Sequence, residues 1–359
     1  MKVFRFSTVA ALSLVAAAAG VATVWAATNH FADRESENMT KTGTVAAVSD
    51  TTASGGAAVK FGVTPVVCPG EPNTPGGEDP WGGCWPGSHN TGYPKGAPGD
   101  TRPSVTLTPY TGDCNLNTNN ETIDSKTIDC SGSRLRITAD NVNITNSLIL
   151  GRIETPSPFT VNPDYPFSFT LTDTTVAAGD ILEEKVIKTG NFTLTRVDVT
   201  GASNSVTCFT NCTVIDSWLH DQATDPEGIL HVSGLRQGQE GLYRHNSIIC
   251  EAARGQGAGG ACSGAISGYG DYQAVFNNLI EKNLIRAGTS SICVYGGSGR
   301  DRPYTYDAHD IRFINNVFEK GASGRCGIYG LVSAWLPELP GNLWSGNTYD
   351  DGTPAPDTD

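Results

Sequence analysis

Positive charge is scarce in this chain. Only 24 Lys and Arg stand against 37 Asp and Glu, a net charge of −13. That excludes nucleic acid as the main partner, because phosphate binding needs a basic surface. Charged residues of either sign reach only 17%, too few for a coiled coil or a fully disordered chain. Sustained amphipathic helical periodicity is missing. The 42 glycines argue against a helix-rich protein, and without a triplet repeat they exclude collagen. The Gly-rich stretches GQGAGG and YGGSG lack the strand–loop–helix setting of a nucleotide site, and no nucleophile elbow is present. Clustered Cys/His ligands at zinc spacing are absent too.

The N-terminus and the cysteines indicate a compartment. Lys2 and Arg5 precede an Ala/Val/Leu-rich run that ends in Val24-Trp25-Ala26, the layout of a secretory signal peptide cleaved near Ala26. An uncleaved anchor is the alternative, since the run approaches spanning length. Removing residues 1–26 takes away two basic residues and moves the net charge from −13 to −15. All ten cysteines lie beyond the signal, and an even number in a secreted chain predicts disulfides. Pairing each with its neighbour couples Cys68 with Cys84, Cys114 with Cys130, Cys208 with Cys212, Cys250 with Cys262 and Cys293 with Cys326.

Residues 27–104 are rich in Thr, Ala, Gly, Ser and Pro and read as a flexible, disordered leader, with Cys68–Cys84 as a staple within it. From 105 to 350 the texture changes to short β-rich runs, followed by a tail over 351–359. One pattern recurs as NVNITNSLI, FTLTDTTV, FTLTRVDV, CTVIDSWL, LYRHNSII, LIEKNLI, IRFINNVF and NLWSGNTY. Its registering residues are Ser147, Thr174, Val197, Ser217, Asn246, Asn283, Asn316 and Asn347, spaced by 27, 23, 20, 29, 37, 33 and 31 residues. Variable spacing around one coil length predicts a solenoid, an all-β, single-stranded right-handed parallel β-helix. A propeller would need four strands per blade at a longer period, and a sandwich would need hairpins. The four late asparagines fall at one turn position, where stacked amides can satisfy buried backbone groups.

The stretches TPYTGDC, VIDSWLHDQATDPEGILHVSG, RHNSIIC, ICVYGG, NNVFEKG, CGIYG and GNLWSGNTYDDGT, together with the Asn-rich turns, resemble the pectate-lyase-like superfamily of right-handed β-helix proteins over residues 105–350. The narrower likeness is to secreted bacterial members of unassigned activity. The resemblance implies recognition of an extended extracellular polysaccharide, often with cleavage of uronic-acid chains. The calcium-binding acidic cluster and arginine base of pectate lyases, and the paired-Asp motifs of galacturonan hydrolases, are not found.

A second recurring strand appears as GILHVSG, GAISGYG, ICVYGG and CGIYGLV. Aligning Leu230, Ile266, Val294 and Ile328 as inward centres turns His231, Ser267, Tyr295 and Tyr329 outward on one face, with Lys188 extending the column. Such a groove suits a sugar chain. β-Elimination needs a neutraliser for the carboxylate, a base and an acid. His231 with Tyr295 or Tyr329 fits base and acid, and Lys188 or Arg236 fits the neutraliser, with Ser267 as a further substrate contact. The tyrosines also suit stacking or coil-end packing. His220, Asp221, Asp225, Glu227 and His231 form the densest polar cluster, readable as an acid/base pair, a metal site or a solvated loop. His245 reads as structural, and Asp271, Asp301 and Asp310 as loop residues.

Three functions follow as expectations. The first is a polysaccharide lyase, for which calcium bridging would relieve the repulsion between an acidic protein and an acidic glycan. No other cofactor is called for. The second is a glycoside hydrolase using Glu227 with Asp221 or Asp271. The third is a non-catalytic glycan-binding surface protein. In each case a secreted monomer is expected, without nucleic acid and, once the signal is cleaved, without a membrane.

Overall fold

The computed structural model describes residues 45–49, 57–61, 67–157, 166–182, 185–253, 262–299 and 301–358. The expected signal peptide over 1–26 lies outside them. In one unit, Val45–Ser49 and Ala57–Phe61 pair antiparallel. The other unit, Val67–Asp79 with Gly83–Asp359, carries a 24-stranded sheet whose strands pair in parallel, coil on coil. This is the parallel β-helix expected from the repeats. No helix among the described residues is long and apolar enough to cross a membrane. All five expected disulfides form, which suits an oxidising, extracellular environment.

Each coil contributes to three ladders. The first runs through Leu148–Leu150, Thr175–Ala177, Asp198–Thr200, Trp218–His220, Ser247–Ile249, Leu284–Arg286, Val317–Phe318 and Thr348–Tyr349. The second runs through Ile153–Glu154, Lys185–Thr189, Asn204–Cys208, Val232–Arg236, Cys262–Ser267, Ile292–Tyr295 and Gly330–Ser333. The third holds the first half of each repeat, from Val142–Thr145 to Leu343–Ser345. Side chains alternate along each strand, so every ladder sends one apolar column inward. Ile149, Val176, Val199, Leu219, Ile248, Ile285 and Phe318 do so for the first, and Ile153, Ile187, Val206, Leu235, Ile266 and Val294 for the second. No single coil could bury this surface; stacking buries it all.

The eight registering residues all sit at the turn from third to first ladder, each after a residue with positive φ: Asn146, Asp173, Arg196, Asp216, His245, Lys282, Asn315 and Gly346. That conformation turns the next side chain inward, where all eight are buried. In the late coils Asn246 donates its backbone N–H and Nδ2 to Asn283 Oδ1 at 2.9 and 3.0 Å. Asn283 does the same to Asn316, and Asn316 to Asn347. In each case Nδ2 also caps a backbone carbonyl one coil back, at Val214, Tyr243 and Ile280. Ser217 and Ser147 take the place of Asn in earlier coils, their hydroxyls accepting the N–H of Val197 and Lys126.

Residues 67–79 and 83–104 correct the flexible leader expected up to 104. They form a strap along this turn line, from the last coil back to the first. Asn73 Nδ2 donates to Asp350 O at 3.0 Å, Gly92 N to Arg196 O at 2.9 Å, Arg102 to Asp173 at 2.6 Å and Thr108 N to Ser125 O at 3.1 Å. Trp85 is fully buried and stacks on His245 at 5.3 Å. Gly92, at φ +71°, leaves no room for a Cβ against Thr175 and Asp198. Composition alone concealed the strap, because its order comes from a few anchors rather than periodic burial. The tail expected over 351–359 is also engaged, with Ala355 N donating to Asn347 O at 3.0 Å across the last coil.

His245 sits between Asp216 (2.7 Å) and Asp79 (3.1 Å). Burial pushes its pKa down, but the two carboxylates outweigh that and hold it up at about 9. The imidazolium therefore ties strap to coil at neutral pH, worth on the order of 3 kcal/mol. A raised folded pKa gives stability that is full below about pH 6.5 and lost as pH rises through about 9. The melting temperature should accordingly fall between pH 7 and 9.5, and His245→Gln should flatten that slope in differential scanning calorimetry. In the Asn ladder, Asn283→Ala strands the Asn246 N–H and should cost about 2–4 kcal/mol in denaturant unfolding, against less than about 1 kcal/mol for Asn315→Gly at the half-buried, left-handed position before Asn316.

Candidate functional site

Outward positions of the second ladder form one continuous column. Register places Arg136 opposite Glu154, Glu154 opposite Lys188, Lys188 opposite Thr207, and Thr207 opposite Arg236. A groove of about 660 Å³ lies over this column, walled further by Arg134, Lys185, His231, Tyr269, Asp271 and Tyr272. Five Lys/Arg and two carboxylates therefore line it, a local excess of three positive charges on a chain of −13.

Glu154 is nearly buried and bridges Arg134 Nε at 2.8 Å and Lys188 Nζ at 2.9 Å. Arg236 pairs with Asp271 and lies over the rings of Tyr269 and Tyr272, at 5.4 and 5.1 Å. Tyr269 packs in turn on Tyr295 at 5.2 Å and beneath Arg302. Asp271, Tyr269 and Tyr272 reach the groove because Gly268, at φ +125°, turns the chain against Gln237, where a Cβ would clash. Between Lys188 and Arg236 the Thr207 hydroxyl is buried and has no hydrogen-bond partner among the described residues. Such a group is costly unless something else satisfies it.

His231 reaches the groove wall from a loop, not from the column. Asp225 orders that loop by accepting the N–H groups of Glu227, Ile229 and Leu230 at 3.0, 2.7 and 2.8 Å. These bonds hold the Asp225 carboxyl below its usual range. His231 Nδ1 meets Ser263 Oγ at 3.0 Å, and its Nε2 has no partner among the described residues.

Of the sequence candidates, Lys188, Arg236, His231 and the hydrolase candidate Asp271 converge here; the others do not. The true rung-mates of Ile266 and Val294 are Leu235 and Val332, not Leu230 and Ile328. Tyr329 consequently lies ahead of its strand, exposed and outside the groove. Ser267 is on the column but buried, bonded to Ser233 at 2.9 Å. Tyr295 supports Tyr269 from outside the groove, its hydroxyl pKa raised by burial and by that neighbour. Glu227 is an exposed loop residue.

His220 belongs to the first ladder, stacked on Trp218 and bonded through Nε2 to Asp198 (2.9 Å) and Nδ1 to Asp221 (3.0 Å). With Asp221 and Glu251 it brings three ligand-type atoms within 4.8 Å, but both its nitrogens are already engaged. It acts as a hydrogen-bonded bridge.

Sequence reasoning missed Arg134, Arg136, Glu154, Lys185, Thr207, Tyr269 and Tyr272, and offered Asp271 both as a loop residue and as a hydrolase carboxylate. The signal that finds the column is the alternation in KVIK, SVTC and GLRQ, aligned on Ile187, Val206 and Leu235. No protein-family model, curated protein or solved structure matches the chain.

Asp225→Ala should release the 225–231 loop. Hydrogen–deuterium exchange should show at least about tenfold faster exchange for the Ile229 and Leu230 amides, with the global melting temperature moving by less than about 2 °C.

Proposed function

We propose that the protein is a secreted polysaccharide lyase whose groove holds a uronic-acid-containing glycan along the solenoid axis. One observation carries this reading: a cationic, tyrosine-walled groove on an acidic protein. Exposed charges beyond about 8 Å are screened at physiological salt, so the local excess of positive charge outweighs the distant negative surface for a docked polyanion. The β-helix, the five disulfides and the resemblance to pectate-lyase-like proteins agree with it.

In β-elimination the proton at C5 passes to a base and the C5–H electron pair forms the C4–C5 double bond. The C4–O bond breaks, and the leaving oxygen takes up a proton. Arg236, preorganised by Asp271 and the two rings, neutralises the carboxylate and so acidifies C5–H. His231, whose Nε2 has no partner among the described residues, is the base. Tyr272, beside Arg236, protonates the leaving oxygen.

Purified protein should be screened on uronic-acid and neutral polysaccharides, with and without calcium. Ultraviolet absorbance of the unsaturated product should rise together with reducing ends. His231→Ala should slow this by at least about 100-fold with an unchanged circular dichroism spectrum. Reducing ends without absorbance would overturn elimination in favour of hydrolysis. Binding without either signal would leave a glycan-binding protein.

A further inference from the structure

The column beneath the groove has a charge pattern with a period of two coils. Arg136, Lys188 and Arg236 occupy alternate rungs. Between the first pair stands the carboxylate of Glu154, held by Arg134 and Lys188. Between the second pair stands Thr207, whose buried hydroxyl has no partner among the described residues. Rungs lie about 4.8 Å apart, so the cations recur at about 10 Å.

An extended pyranose chain advances by about one rung per sugar. Laid along this column, it meets a cation at every second sugar. From the alternating rungs we infer that the groove is registered to a copolymer in which a uronic acid alternates with an uncharged sugar. The acidic sugars face Arg136, Lys188 and Arg236. The uncharged ones face Glu154 and Thr207, which accept from or donate to their hydroxyl or amide groups. A homopolymer of uronic acid would set a carboxylate against Glu154, a like-charge contact at a nearly buried site, and would leave Thr207 opposite a charged group rather than a neutral hydroxyl.

The inference rests on the groove being a glycan site, and its test separates the two claims. Isothermal titration would compare octasaccharides of equal length at one ionic strength, using the full chain carrying His231→Ala to prevent turnover. One is an unsulfated alternating uronic acid/N-acetylhexosamine oligomer; the other is oligogalacturonate. The alternating oligomer should bind at least about tenfold tighter. Glu154→Gln should tighten the homopolymer by about tenfold and leave the alternating chain within about twofold. Thr207→Val should weaken the alternating chain by about five- to tenfold, and Thr207→Ser, which keeps the hydroxyl, should retain the preference. Equal binding of both, or tighter binding of oligogalacturonate, overturns the alternating register while the glycan site stands. Binding of neither overturns both.

Discussion

Every coil depends on one buried turn. A residue in the left-handed region swings the next side chain inward, and that side chain must satisfy backbone groups which water cannot reach. Asn does this with both ends of its amide, its Oδ1 accepting from the coil before and its Nδ2 donating to neighbouring coils, so four stacked asparagines lock four coils into one register. Ser does the same with a single hydroxyl in the earlier coils. A one-residue slip would turn apolar columns outward and strand these groups together. The ladder therefore fixes which side chains stack on which, and the groove inherits its order from it.

The strap depends on the same line of turns. It lays a disulfide-stapled, proline- and glycine-rich segment over the positions where the left-handed residues leave backbone accessible. Its anchors are charge–charge and aromatic: Arg102 on Asp173, and Trp85 with Asp79 on His245. Buried charges of this kind persist because each is paired and hydrogen-bonded. Thr175 and Asp198, outward residues of the first ladder, are buried because the strap lies near them. One flank of the solenoid is thus covered, and the second ladder on another flank carries the open groove.

That groove illustrates how little net charge says about a surface. A chain of −13 concentrates five cationic side chains within one cleft because alternate residues on successive parallel strands share a face. The carboxylates there are tied to arginine or lysine, which fixes their geometry without cancelling the positive excess. The tyrosines add flat faces against Arg236, so charge and stacking surface meet at one rung.

The solenoid, its eight turn residues and its five disulfides were legible in the sequence because each is a local or repeating signal: strand alternation, a turn residue, a neighbouring cysteine. The same locality misled the site. Local pattern points to His231, Lys188 and Arg236, but it aligns Leu230 and Ile328 as centres where register uses Leu235 and Val332. The loops before those strands differ in length, and nothing within either segment reports the offset. His220 and Glu227 look like parts of one cluster because they are close in sequence, yet His220 stands on the first ladder and Glu227 is an exposed residue of the His231 loop that does not line the groove. The sequence by itself determined the coil, since stacking of like on like is written into every repeat. Only the tertiary structure decided which charges meet across coils and that residues 67–104 bind down as a strap. Those contacts depend on register between segments dozens of residues apart, which no local pattern encodes.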